Sequence, residues 1–150
     1  MAQRRPRRLK VLVVDTSPAW RKRLSDFTAD LPGVMSIRST SSPRQAIDQF
    51  LKDSPHVILL GIASDELLEL EVLLSAKRKT AAAFVVVNVD RYSPRLQLKS
   101  LAAGADLFLI RAEMMGRLPA ILTGLRSRRP LHQARPFLRP RLATVFRRRS

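Results

Sequence analysis

Cysteine is absent, and histidine occurs only as His56 and His132. Disulfides, thiolate-bound zinc and thiol catalysis are therefore excluded, and two histidines so far apart make poor metal ligands. No apolar run approaches the roughly 18 residues that a membrane-spanning helix needs. The first ten residues are basic and contain Pro6, and they lack the apolar core and small-residue cleavage site of a secretory signal. A cytoplasmic location is expected. No Ser/His/Asp arrangement, glycine-rich phosphate loop or paired-carboxylate motif is visible, so no enzymatic activity is expected.

What is present suits one globular domain with flanking arms. The chain has 150 residues, 45% hydrophobic and 27% charged, enough for a core and too apolar for wholesale disorder. Its charge is unevenly placed. Residues 1–10 carry five basic groups and no acid, and residues 126–150 carry nine arginines and no acid, so the two ends supply +14 of the net +16. Like-charge blocks punctuated by Pro6, Pro130, Pro136 and Pro140 resist helix and read as interaction arms. The expected division is a basic arm at 1–8, a domain at 9–126 and an Arg/Pro-rich tail at 127–150.

Within the domain, apolar runs alternate with amphipathic segments. Leu9 to Val14 reads as a strand, and Ser17-Pro18 supplies a cap and a first-turn proline for a helix burying Trp20, Leu24, Phe27 and Leu31 on one face. Its other face carries Arg21, Arg23 and Asp26, and Pro32-Gly33 stops it. Strands are expected at 34–38, 56–60, 82–87 and 106–110. Helices are expected from Ser42-Pro43 through Leu51, over 65–76, from Ser93-Pro94 to Gly104, and from near Pro119, a residue tolerated in a first turn. Apolar strands alternating with such helices predict an α/β fold with a parallel sheet covered on both faces and its chemistry at the strand carboxyl ends. Those ends are Asp15-Thr16, Gly61, Asn88 and Arg111.

Val11-Leu12-Val13-Val14-Asp15 with Ser17-Pro18, then Ser42-Pro43-Arg44-Gln45-Ala46-Ile47, Val57-Ile58-Leu59-Leu60, and Ala103-Gly104-Ala105-Asp106-Leu107-Phe108-Leu109 follow one another in order. Together they resemble a response-regulator receiver domain of two-component phosphorelay, over about residues 9–126. The resemblance implies the flavodoxin-like (βα)5 three-layer sandwich with strand order 2-1-3-4-5. It also implies an acidic pair and a phosphoacceptor Asp holding Mg²⁺, a Ser or Thr after the fourth strand and a Lys after the fifth.

This chain departs from that pattern at most of those positions. Gly61 stands at the phosphoacceptor position and offers no carboxylate to attack a phosphoryl donor. Thr16 replaces one acid beside Asp15, Asn88 replaces the hydroxyl, Arg111 replaces the Lys, and Ala112 replaces the Pro that commonly follows it. With one of three acids left, Mg²⁺ binding is not expected, nor any other cofactor. Asp53, Asp65 and Asp90 are candidate substitute acceptors, although Asp65 suits a helix start on electrostatic grounds alone. Asp15 and Arg111 form either a simple ion pair at the strand ends or part of a small-anion pocket.

The resemblance places a partner surface on the fourth helix, fifth strand and fifth helix, with Arg95, Lys99, Phe108 and Arg117 as candidates; Phe108 and Trp20 fit equally as plain core. Candidate nucleic-acid or anion ligands are Arg126, Arg128, Arg129, Arg135, Arg139, Arg141, Arg147, Arg148 and Arg149. No helix-turn-helix fits into the last 25 residues with their three prolines, while 142–149 could dock on a partner or an anionic membrane, and a purely solubilising tail is the plain alternative. Two functions stand at this point. One is a stand-alone degenerate receiver that binds a histidine kinase or another regulator without phosphorylation. The other is a nonspecific nucleic-acid binder that uses its Arg-rich arms on a receiver scaffold.

Overall fold

Four apolar runs and the more polar VMSIRST segment form β1 (Leu9–Val14), β2 (Val34–Thr40), β3 (Val57–Gly61), β4 (Phe84–Val89) and β5 (Leu107–Ile110) in a computed structural model that describes residues 8–63, 67–79 and 83–127. Between and after them run α1 (Pro18–Ala29), α2 (Pro43–Asp53), α3 (Leu67–Lys79), α4 (Pro94–Ala103) and α5 (Arg111–Arg126). Every strand pair is parallel, and the order is β2-β1-β3-β4-β5, the arrangement that the receiver resemblance implies.

The three Ser-Pro pairs act as their chemistry dictates. Ser17, Ser42 and Ser93 are extended N-caps whose hydroxyls accept from the backbone N–H of Trp20, Gln45 and Leu96 at 3.4, 3.2 and 3.2 Å. The proline that follows each cap supplies a φ already suited to the first turn.

Alternation along the strands divides the core in two. Leu12, Val14, Ile58, Leu60, Val85 and Val87 face α2, α3 and α4. Val11, Val13, Val57, Leu59 and Val86 face α1 and α5. The central strands β3 and β4 are buried along their whole length, as expected for a sheet covered on both sides.

Several boundaries differ from the sequence expectation. β2 continues to Thr40 because it pairs with β1 as far as Val14. β4 runs two residues past Val87, to Val89. α3 continues to Lys79, and the expected helix start at Asp65 lies outside the described residues. The largest correction is α5, which begins at Arg111 rather than near Pro119 and carries that proline in its interior. Met114, Leu118, Leu122 and Leu125 recur every three or four residues and are all buried. Burying four such side chains releases about 1.5–3 kcal/mol each, which outweighs the roughly 3 kcal/mol cost of an interior proline.

Candidate functional site

The carboxyl ends of β1, β3 and β4 bring Asp15, Gly61 and Asn88 together. By the two-residue alternation they share the face of Val13, Leu59 and Val86, so the amino ends of α1 and α5 cover them. Asp15 is 2% exposed. Its Oδ1 accepts from the Ser17 N–H at 2.9 Å, and Arg111 Nη2 donates to Oδ1 and Oδ2 at 3.3 and 3.4 Å. Arg21 Nη1 donates to the Asp15 carbonyl at 2.7 Å.

Gly61 completes the arrangement. A Cβ at this position would lie 1.8 Å from Asp15 Oδ2 and 2.6 Å from Asp15 Cγ. The Asp15 carboxylate thus fills the volume that any side chain at 61 would occupy. The absence of a side chain at 61 and the inward turn of the carboxylate at 15 are a single packing arrangement.

Arg111 is the first residue of α5, where the helix dipole disfavours a cation. Two contacts offset that penalty. One is the Asp15 carboxylate. The other is Trp20, whose ring centroid lies 5.4 Å from the guanidinium carbon of Arg111. The indole Nε1 donates in turn to Asn88 Oδ1 at 3.1 Å, which assigns the orientation of this amide. Asn88 Nδ2 and Arg111 Nε are buried without a hydrogen-bond partner among the described residues.

Trp20 is therefore more than the plain core residue expected from its helical spacing, because it packs on the α1–α5 core and also roofs the strand-end site. Arg21 is likewise a site residue, where its spacing suggested the solvent face. The indole N–H was the available signal for Trp20, since a buried tryptophan needs an acceptor. Nothing local marked Arg21.

Octahedral Mg²⁺ needs several oxygen ligands, usually with more than one carboxylate. Among the described residues Asp15 is the one buried carboxylate at the site, both of its oxygens are taken, Gly61 offers no donor and Thr16 is exposed. The residues present do not fit the ion. Asp53 is not near the site, since it ends α2 at the opposite end of the sheet, where Arg38 Nε pairs with it at 2.7 Å. Asp90 is exposed after β4, and Asp65 lies outside the described residues. A cleft of about 370 Å³ lined by Lys10, Arg38, Gln49 and Asp53 contains none of the strand-end residues.

On the face formed by α4, β5 and α5, Arg95 and Arg117 are exposed, and Lys99 is half-buried rather than exposed as expected. Phe108 packs on the α2–α4 core while its ring meets Tyr92 edge-on at 6.3 Å. Tyr92 and Leu98 belong to this face too, 46% and 54% exposed, and the sequence reading missed both. Leu98 falls within a helical apolar pattern that looked like core.

Of the nine arginines expected to bind nucleic acid or another anion, only Arg126 falls within the described residues. It ends α5 and donates through Nη1 to the Pro32 carbonyl at 3.0 Å, so it braces a turn of the domain itself. Arg128, Arg129, Arg135, Arg139, Arg141, Arg147, Arg148 and Arg149 all lie outside the described residues, as does the 142–149 stretch considered for docking. No helix among the described residues is long and apolar enough to cross a membrane.

No protein-family model matches the chain. A protein-glutamate methylesterase/protein-glutamine glutaminase from Nitrobacter winogradskyi is 28% identical over 107 residues, 70% of this chain and 25% of that protein. The chain thus spans about a quarter of that relative's length. Among solved structures, the response regulator domain of Thermotoga maritima CheB superposes with a TM-score of 0.67 at 21% identity, over 83% of this chain and all of that one. Vibrio cholerae chemotaxis protein CheY4 superposes at 0.68 and 20% identity, over 78% and 98% of the two chains. With five parallel strands in the order 2-1-3-4-5 and these superpositions along most of its length, the chain carries a domain with the receiver fold of two-component response regulators.

Proposed function

We propose that this receiver-fold domain serves two-component signalling as a phosphorylation-independent protein-binding module, with a histidine kinase or another regulator as its partner. One observation carries the proposal: the Asp15 carboxylate occupies the place of a side chain at 61 and is held there by Ser17 and Arg111. A phosphoryl switch needs a free carboxylate, a bound metal and room for the transferred group. None of the three is compatible with this packing. The domain is thereby held in one state, and recognition rests on a fixed surface. The face bearing Tyr92, Leu98, Arg95 and Arg117 suits that role, because exposed aromatic, aliphatic and arginine side chains are the composition of a protein-binding patch.

The test incubates the full chain with acetyl phosphate and Mg²⁺ and follows its intact mass. It also measures binding to isolated histidine-kinase dimerisation domains with and without the donor. The expected result is no phosphoryl adduct and one affinity under both conditions. An adduct that persists in Asp15→Ala, or binding that appears only with the donor, would overturn the proposal.

A further inference from the structure

The cleft of about 370 Å³ that excludes the strand-end residues has a chemistry of its own. It separates α2 from the edge strand β2, and it exists because of what β2 presents. The parallel register sets Lys10 beside Ser36 and Leu12 beside Arg38, so these four share the face that α2 covers. On β1 that face is apolar further along, where Leu12 and Val14 join Ala46 and Phe50 of α2 in the core. On β2 it bears a serine and an arginine. These give α2 no apolar surface to close on, and the gap stays open.

Two cations meet one carboxylate in this cleft. Arg38 Nε lies 2.7 Å from Asp53 Oδ2, and Lys10 Nζ donates to the Asp53 carbonyl at 3.3 Å. Both guanidinium Nη groups, the other N–H bonds of the ammonium and the Gln49 side-chain amide have no hydrogen-bond partner among the described residues. A surface ion pair would account for Arg38 and Asp53 alone. It does not account for Lys10. β1 has a strand on each side and is buried throughout except at this residue. A lysine is rarely placed in such a strand unless its ammonium reaches water or a partner, and the cleft is what its ammonium reaches. With Asp53 matched by Arg38, the charge left over is positive. Leu12 and the buried Pro55 add apolar lining.

We propose that this cleft binds a small organic oxyanion, a carboxylate or phosphate ester on a short apolar body, with the Arg38 fork and the Lys10 ammonium holding the anionic group. This goes beyond the strand-end reading and does not depend on it. The volume falls at the low end of the roughly 300–1,000 Å³ of small-molecule sites, which suits a body the size of one aromatic ring rather than a nucleotide. A guanidinium offers paired donors to either headgroup. Asp53 positions that guanidinium in advance, so less side-chain freedom is lost on binding. Gln49 supplies a further donor from α2.

The experiment titrates benzoate and phenyl phosphate separately into the full-length, ¹⁵N-labelled chain and follows residue-resolved NMR shifts. Benzyl alcohol, which has the ring without the charge, is the control. Residue resolution is needed because the chain carries many other arginines that attract any oxyanion. Saturable shifts are expected at Lys10, Arg38 and Gln49 with at least one of the two anions, and none with benzyl alcohol; the tighter anion identifies the headgroup. Arg38→Gln and Lys10→Met should each weaken binding about 10–100-fold. The Arg38 side chain is 60% exposed, so its variant keeps the fold, and unchanged cross-peaks elsewhere check this. The absence of saturable shifts at the cleft with both anions overturns the site. So does benzyl alcohol binding as tightly as the anions, or an affinity unchanged in either variant.

Discussion

Replacing Gly61 by Ala is a direct test of the interlocked strand ends. The added Cβ would meet Asp15 Oδ2 at 1.8 Å, and relieving the contact to 3.0 Å requires the carboxylate to move by more than an ångström. A flexible exposed side chain would yield at little cost. Asp15 is 2% exposed and is held by the Ser17 N–H at 2.9 Å and by Arg111 at 3.3 Å. Losing a hydrogen bond to a charged acceptor costs about 1.5–3 kcal/mol, and loosening the ion pair adds to it. Against this, Gly→Ala at an ordinary strand conformation restrains the unfolded chain and returns about 0.4–1 kcal/mol. The net expectation is a loss of about 2–3 kcal/mol, or roughly 4–12 °C in Tm for a chain of this size.

The sign should reverse when Asp15 is removed first. In an Asp15→Ala background the Cβ meets no carboxylate, so Gly61→Ala should be neutral or stabilising by up to about 1 kcal/mol. A four-variant cycle by urea unfolding then reads a coupling of about 3 kcal/mol, far above the few tenths seen between independent sites. If Gly61→Ala is harmless with Asp15 intact, the carboxylate is not packed where a side chain at 61 would lie, and the account of the locked site fails.

Gly61→Asp should behave as a larger version of the same clash and should not create an acid-labile phosphoryl adduct; uptake of phosphate by this single variant would contradict the packing. Arg111→Ala leaves Asp15 buried with only the Ser17 N–H, for a loss of about 2–4 kcal/mol in chemical denaturation. Trp20 is the only tryptophan, so its emission should move to the red in Arg111→Ala, and an unshifted spectrum would show that the guanidinium does not cover the ring. Pro119→Ala should stabilise α5, since it restores a backbone donor in the helix interior; a gain of about 1–3 kcal/mol is expected, and a lower Tm would count against the proline's being a cost. Asp106→Ala removes the partner that Lys77 Nζ meets at 2.7 Å and the acceptor of the Val85 N–H at 2.9 Å. With Lys77 only 14% exposed, that loss should reach about 3–5 kcal/mol.

Most of the architecture was legible because local and global signals agree. Each Ser-Pro pair marks a helix start, each β-branched run a strand, and the alternation of the two leaves few topologies for a parallel sheet. The strand-end residues were legible for the same reason, since a strand's last residue can be counted. α5 misled because a proline is a strong local signal for a helix start, while the apolar spacing of Met114, Leu118, Leu122 and Leu125 is a weaker one that decides the outcome through burial. The site's interior was not legible. That Asp15 turns toward residue 61, and that Trp20 reaches from α1 to Asn88, depend on which helix covers which face. Contacts at sequence separations of 68 and 96 residues, such as Trp20 to Asn88 and Asp15 to Arg111, leave no trace in any local window.

The two ends of the sheet also differ in how they treat charge, and the difference follows from the residues that cap them. At the carboxyl ends the buried Asp15 carboxylate is matched to the Arg111 guanidinium, with a tryptophan closing the site. At the amino ends the cations outnumber the acids even before the arms are counted. Asp106 is engaged by Lys77 and Asp53 by Arg38, while Lys52, Arg78 and Lys79 remain exposed. Substitutions at Tyr92 or Leu98, on a face remote from that end, should therefore leave the Asp106–Lys77 and Asp53–Arg38 contacts intact.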